Sequence, residues 1–310
     1  MLIVLGRKYK FTKFEKQRLK KNKHHLSIIR YRDIEPQVVL EEIKETIKNQ
    51  KSKIIILNTK EKVHDDIIKY LTNLKVQYPD IQIITIEHFM EKYLHKCYIP
   101  DDDISLNYLE NIKAFSTWQL IQKRTIDYLA VFTLLLVSFP VLLYARYKIK
   151  KQSPGTSMFK QLRVGLNNKE FKCIKFRSMK LDAEKDGAQF ASKNDSRVFP
   201  WGETMRKTRI DEIPQILNVF TGDMHFIGPR PERKFWIDQF EKEIPYYNER
   251  HIIRPGITGW AQVMYPYGEN AEDAKQKLMY DLYYIKYWNI LLEIKVVWKT
   301  ILIVLGRKGI

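Results

Sequence analysis

With 310 residues, 45% of them hydrophobic and 13% aromatic, the chain has the composition of a folding polypeptide, which excludes wholesale disorder despite 29% charged residues. A length prior of roughly 100 to 200 residues per domain predicts two domains. The formal net charge of +18 favours a polyanionic partner, whether nucleic acid, an anionic membrane surface or a phosphorylated substrate. Only two cysteines occur, Cys97 and Cys173, which excludes a disulfide framework and a zinc site and fits a reducing compartment.

In chain order, Met1–Gly6 is apolar and turns basic at Arg7, Lys8 and Lys10, too short and in the wrong order for a secretion signal. The heptad LIVLGRK recurs at residues 2–8 and 302–308, and one such match does not make a repeat architecture. Val38, Val39, Ile43 and Ile47 stand at helical spacing within residues 36–50, and residues 53–57 read as a buried strand. Residues 62–74 read as a helix, 81–86 as a second strand after Pro79, and 87–94 as helix again. This alternation predicts a small α/β unit. No glycine-rich turn joins strand to helix within residues 1–110, so the unit offers no phosphate-cradling loop and reads as accessory. The acidic stretch Asp101–Asp103 and the residues to about Thr117 read as a linker.

Residues 128–145 then run without a charge, about 18 residues long, the lower limit for crossing a bilayer of ~30 Å hydrocarbon thickness. Basic residues flank both ends, Lys123 and Arg124 before and Arg146, Lys148, Lys150 and Lys151 after, so the positive-inside rule gives no direction. Pro140 lies inside the run, with Ser138 two residues before it, and proline kinks or breaks a helix. A helix that enters and returns to one face satisfies both the symmetric charge and the break; a kinked spanning helix and a buried core helix are the alternatives. From Tyr280 to Leu305, Tyr, Trp, Ile and Lys mix at helical spacing, which suits either the interfacial plane, with Tyr283, Tyr284, Tyr287, Trp288 and Trp298 at headgroup level, or ordinary core packing.

The sharpest cluster of chemistry is residues 206–215, RKTRIDEIPQ, leading into an apolar helical pattern. Asp211 stands where a helix is expected to begin, where unpaired N–H groups keep a carboxylate ionised and attract phosphate. The plain alternative is a capping Asp211 with Glu212 in the first turn. Arg206, Arg209, Arg230, Arg233 and Arg254 lie among turns fixed by Pro229, Pro231, Pro255 and Gly256, as expected of phosphate recognition by positioned guanidinium groups.

Five strings, KRTIDY at 123–128, KFRSM at 175–179, RIDEIPQILNV at 209–219, GDMHFIGPRPE ending at Glu232 and RPGITGWAQV at 254–263, together resemble the bacterial sugar transferase family, the monotopic polyprenyl-phosphate phosphoglycosyl transferases. The resemblance covers about residues 118–310. It implies a re-entrant membrane helix broken at a Ser-Pro pair, an Asp-Glu dyad, a magnesium ion and a two-step covalent reaction. Carried over, it makes Asp211 the nucleophile that expels UMP from a UDP-sugar, Glu212 its partner toward the acceptor phosphate or the metal, and Asp211 and Glu212 together the expected magnesium ligands. It makes Arg206, Lys175, Arg177, Arg230 and Arg254 phosphate- or nucleotide-binding residues. One departure stands out: Phe139, not serine, directly precedes Pro140, with Ser138 one residue earlier.

The expected organisation is therefore an α/β accessory domain and linker at 1–117, a re-entrant helix at 118–152, and a mainly α (α+β) catalytic domain with interfacial helices at 153–310. The expected partners are a UDP-sugar, polyprenyl (undecaprenyl) phosphate and the anionic lipids of a bacterial inner membrane at its cytoplasmic face, in the initiating step of a glycan; a homodimer is admitted. No helix-turn-helix, zinc-finger or RNP-like string appears, so nucleic acid is not expected. A basic membrane scaffold and a glycosyltransferase releasing UDP are the rival readings.

Overall fold

The computed structural model describes residues 2–31, 34–49, 54–60, 62–100, 112–181, 183, 195–265, 268 and 270–306. The expected linker at 101–111 lies outside the described residues. The chain divides into two compact units, Met1–Tyr98 and Ile99–Ile310.

The first unit alternates β1 (Leu2–Leu5), α1 (Lys13–Lys21), β2 (Leu26–Ile29), α2 (Pro36–Asn49), β3 (Ile54–Leu57), α3 (Asp65–Gln77), β4 (Gln82–Thr85) and α4 (Ile86–Phe89), which runs on into a π turn over Met90–Leu94. The four strands form one parallel sheet in the order β2-β1-β3-β4. Ile3, Leu5, Ile43, Ile55, Ile67 and Leu71 share its core. The strand and helix alternation expected from residue 36 onward is present within a few residues. The apolar start, to which the sequence assigned no element, is a strand: Leu2–Leu5 is fully buried inside the sheet, and such a strand of a parallel sheet reads as an unbroken apolar run rather than an alternation. Gly6 follows with φ +89°, and a Cβ there would meet the Asn58 carbonyl at 2.7 Å.

The second unit is built on α5, a 36-residue helix from Thr117 to Gln152, started by a capping box between Ser116 and Gln119. Its sequence gives it one narrow protein-facing stripe. Lys123, Asp127, Val131, Ser138, Ala145 and Ile149 are buried, whereas Phe132, Leu136, Val137, Phe139 and Leu143 are exposed. Only 17% of its most apolar window is buried. Pro140 sits inside the helix without ending it, and the Ser138 hydroxyl donates to the Leu134 carbonyl at 2.6 Å, the i−4 bond that a serine makes inside a helix. Both halves of α5 pack on the same unit: Val131 meets Cys173, Ile216, Val219 and Met224, and Ala145 and Ile149 meet Phe176, Phe199 and Met205.

An antiparallel hairpin follows, β5 (Met158–Val164) and β6 (Glu170–Phe176). Then come α6 (Pro200–Thr208), a 3₁₀ turn (Ile210–Gln215), α7 (Ile216–Thr221), β7 (His225–Ile227) and α8 (Lys234–Glu243). A second 3₁₀ turn (Tyr247–Ile252) leads to β8 (Gly256–Thr258), parallel to β7, and then to α9 (Trp260–Met264), α10 (Ala271–Lys286) and α11 (Ile290–Leu305). The expected aromatic segment from Tyr280 is thus two helices. Tyr284 and Trp288 are buried rather than interfacial: the Trp288 indole donates to Glu293 at 2.7 Å, and the Tyr284 hydroxyl also bonds that carboxylate. The same Glu293 takes the Lys123 ammonium at 2.8 Å, so a wholly buried ion pair ties α5 to α11. Tyr287, Trp298, Leu291, Ile294 and Leu302 do stay exposed.

Candidate active site

Arg209 adopts a left-handed conformation, φ 59°, which ends α6 and turns the chain into the 3₁₀ turn carrying Asp211 and Glu212. The turn packs against the end of β6. Glu212 is buried, and its Oε1 collects three cations: Arg230 Nη2 at 3.0 Å, Lys175 Nζ at 3.3 Å and Arg209 Nη1 at 3.5 Å. Burial alone would raise the Glu212 pKa, but Arg230, Lys175 and Arg209 outweigh it and hold the carboxyl below the usual carboxylate range. Asp211 has the opposite fate. Burial, then the charge of Glu212 beside it, raises its pKa from 3.8 to about 6, against the opposing pull of Lys175, Arg209 and Arg206. Its Oδ1 is buried with no hydrogen-bond partner, and no side chain caps this turn, so the plain capping role for Asp211 does not hold.

Two adjacent carboxylates with pKa values pushed apart, one locked by cations and one left with an unsatisfied oxygen, have the pattern of a reacting group beside its electrostatic partner. Arg206, on the last turn of α6, lies near enough to act on Asp211, and its guanidinium makes no hydrogen bond or ion pair among the described residues. The structure thus gathers Asp211, Glu212, Arg206, Lys175 and Arg230, and adds Arg209, which the sequence showed only as one arginine of a cluster.

Two expected phosphate binders lie elsewhere. Arg177 is buried and spends its guanidinium on the turn after α5: Nε donates to the Thr156 carbonyl at 2.7 Å, Nη1 to the Ser153 hydroxyl at 2.6 Å, and Nη2 to the carbonyls of Ser153 and Pro154. Its donors are committed to the main chain because β6 ends at Phe176, so the alternation that aims Lys175 at the dyad stops before Arg177. Arg254 donates Nε to the Gly222 carbonyl at 2.7 Å, at the C-terminal end of α7. From Asp211 to Gly222 the chain runs through the 3₁₀ turn and the whole of α7.

Sequence reasoning also missed a buried polar chain beside α5. Asp127 Oδ2 accepts from His225 Nδ1 at 2.6 Å, its Oδ1 accepts from the Phe226 N–H at 2.7 Å, and Lys123 stands 3.9 Å away. The i, i+4 spacing of Lys123 and Asp127 within KRTIDY was the available signal, since it places both on one helix face.

The profile of the bacterial sugar transferases matches residues 118–307. The chain belongs to the bacterial sugar transferase family. Among curated relatives of this sugar transferase is the UDP-N-acetylgalactosamine-undecaprenyl-phosphate N-acetylgalactosaminephosphotransferase of Aeromonas hydrophila, 48% identical over 187 residues, which are 60% of this chain and 44% of the relative. The UDP-glucose:undecaprenyl-phosphate glucose-1-phosphate transferase of Xanthomonas campestris pv. campestris is 42% identical over 55% of this chain and 36% of its own length. The exopolysaccharide production protein PSS of Rhizobium leguminosarum bv. phaseoli is 37% identical over 61% of this chain and 97% of its own. The sugar transferase spans less than half the length of the first two. In all three comparisons the shared region covers about 55 to 61% of this chain.

Proposed function

We propose that this chain transfers a sugar phosphate from a UDP-sugar to a polyprenyl phosphate through a phosphosugar held on Asp211. The observation that carries the reading is the contrast within the dyad: Asp211 keeps an unpartnered oxygen while Glu212 is pinned by Arg230, Lys175 and Arg209. In the first step Asp211 Oδ1 attacks the phosphorus that bears the sugar. An O–P bond forms, the anhydride P–O bond breaks, and its electron pair leaves with UMP. In the second step a phosphate oxygen of the acceptor attacks the same phosphorus, giving a polyprenyl diphosphosugar and freeing the carboxylate. Lys175, Arg230 and Arg209 position Glu212, and Arg206 is available to the transferred phosphate.

The unpartnered carboxylate of Asp211 suits a magnesium ion held through the oxygen that does not attack phosphorus, because such ions are held by one or two carboxylates plus substrate phosphates rather than by a full protein cage. Among the described residues no group of three or more His, Cys, Asp or Glu side chains is placed to hold a metal. Bound there, it would neutralise charge on the phosphates.

The re-entrant reading of α5 rests on its two halves packing on one unit: a straight crossing would carry Ile149 to the far side of the bilayer from Lys123, away from Phe176 and Met205. With the exposed apolar residues of α5 and α11 facing lipid, the protein sits on one face of the membrane, the cytoplasmic face of the inner membrane where UDP-sugars are found. The net charge of +18 suits anionic headgroups.

The test is nucleotide release by purified protein with magnesium, undecaprenyl phosphate and a panel of UDP-sugars. UMP formed with the lipid, or as a stoichiometric burst without it, is expected and names the donor. Release of UDP instead overturns phosphosugar transfer.

A further inference from the structure

The positive charge of the first unit is gathered in one place. Residues 1–30 hold ten Lys and Arg against one acid, Glu15, whereas residues 31–98 hold eleven of each, so the whole excess lies in the first thirty residues. The fold puts much of it on one helix. α1 buries Glu15 and Leu19 and leaves Lys13, Lys16, Lys20 and Lys21 exposed, with Lys10 before it and Lys23 after it exposed as well. Among the described residues none of these six ammonium groups meets a carboxylate. Glu15 is spent inside the unit on the Lys96 ammonium and the Thr12 N–H, and Glu87 of α4 is taken by Lys8 at 2.7 Å. Parallel crossovers are right-handed, so α1, which leads from β1 out to β2, lies on one face of the sheet, and α2 and α3, which lead the other way, lie on the opposite face. The core packs accordingly: Val39, Ile43, Ile67 and Leu71 of α2 and α3 share it with Ile3 and Leu5, and Leu19 of α1 does not.

The opposite face shows an ordinary solvated surface. On α2 and α3 the lysines are interleaved with Glu41, Glu42, Glu45, Asp65 and Asp66, and Lys44 pairs with Glu41 at 2.7 Å. On α1 the exposed Lys16 and Lys20 stand four residues apart with like charge, a spacing that weakens a helix. A face that keeps only lysine despite that cost suits a polyanion. Its ammonium groups are point charges without forks or aromatic neighbours on the same face, which fits a diffuse array of headgroup phosphates better than recognition of single nucleotides. Residues 99–116 join the unit to α5 and reach at most ~65 Å when extended, so the bilayer that α5 enters is the polyanion always within range. We propose that α1 docks the first unit on anionic phospholipid headgroups through Lys13, Lys16, Lys20 and Lys21. The contact is electrostatic and without insertion, since no large apolar side chain of α1 is exposed. It rests on the membrane reading of α5 and not on the reaction proposed for the dyad.

Lysine footprinting of the full-length protein in lipid nanodiscs tests the contact. A water-soluble acetylating ester, read out by mass spectrometry, is applied in discs of phosphatidylcholine and in discs carrying phosphatidylglycerol. Acetylation of Lys13, Lys16, Lys20 and Lys21 is expected to fall about threefold or more in the anionic discs, while the exposed Lys48, Lys69 and Lys75 of α2 and α3 keep their rates. The protection should vanish at about 0.5 M salt, where the screening length is ~4 Å. Replacing the four α1 lysines by glutamine should release Lys10 and Lys23 from protection, and thermal melts check that this variant folds. Retention of the protein in phosphatidylcholine discs, where α1 meets no net charge, tests the reading of α5 by itself. Equal acetylation of the α1 lysines in both discs overturns the proposal, as does equal protection of Lys48, Lys69 and Lys75. So does protection that survives the salt, protection of Lys10 and Lys23 that survives the glutamine replacements, or RNA in phosphatidylcholine discs shielding α1 better than the anionic lipid does.

Discussion

Asp211→Asn is expected to make the protein more stable while silencing it. The carboxyl is raised from 3.8 to about 6, chiefly by burial and then by Glu212. At ~1.36 kcal/mol per unit, and discounted for a side chain that keeps some solvent contact, holding Asp211 ionised costs about 2 kcal/mol at pH 8. An acid with a raised folded-state pKa binds its proton more tightly when folded, so its contribution to stability falls as pH climbs from about 4 to 6 and stays low above. A neutral asparagine escapes that loss. For a unit of this size ~2 kcal/mol corresponds to a rise in melting temperature of roughly 4 to 8 °C. The gain should be full at pH 8 and about half as large at pH 5. Thermal melts in detergent, with a chelator present so that no divalent cation favours the parent protein, read it directly. A variant that melts at or below the parent at pH 8, or a difference that does not shrink by pH 5, would refute the reasoning. A fully active Asp211→Asn would separately end the covalent assignment.

Arg177→Gln removes donors to three carbonyls and a hydroxyl behind α5, so it should cost about 2 to 3 kcal/mol in a denaturant titration yet leave the KM for the UDP-sugar of the surviving enzyme unchanged. Glu293→Gln leaves the buried Lys123 ammonium with only the Asp127 carboxylate, 3.9 Å away, and should destabilise the second unit by about 2 to 4 kcal/mol in the same titration, whereas the paired change Lys123→Met with Glu293→Gln should recover much of that loss. Gly202→Ala would put a Cβ 2.0 Å from the Ser178 carbonyl, so α6 must shift, and both melting temperature and turnover should fall because α6 leads into the dyad turn.

Periodicity exposed what is local. Helices α2 and α3 and strands β3 and β4 were readable because each carries its own apolar pattern. The heptad LIVLGRK shows where such reading stops: Leu2–Leu5 is a buried strand, and the same four letters at Leu302–Leu305 form the last turn of α11. Four apolar residues suit either state, and what decides is the context, β2 and β3 on either side in one case and a helix already begun at Asn289 in the other. The dyad was legible as a string; Lys175 and Arg230, expected to bind phosphate or nucleotide, pair in the structure with Glu212. Arg177 stood beside Lys175 through the string KFRSM, which does not announce that β6 ends at Phe176 and that the Arg177 guanidinium bonds Ser153, Pro154 and Thr156. For Tyr284 and Trp288 interface and core stayed open, because helical spacing groups aromatics without saying which face meets the core; their polar atoms surround Glu293.

That Glu293 hub orders events in time. Lys123 emerges from the ribosome 170 residues before its carboxylate partner, a delay of about 10 to 30 s at 5 to 20 residues per second. Throughout that interval the ammonium has only the Asp127 carboxylate of its own helix, 3.9 Å away, as a partner and stands just before the apolar run of α5. The near end of the helix is therefore held by Glu293 only once α11 has been made and closes over it.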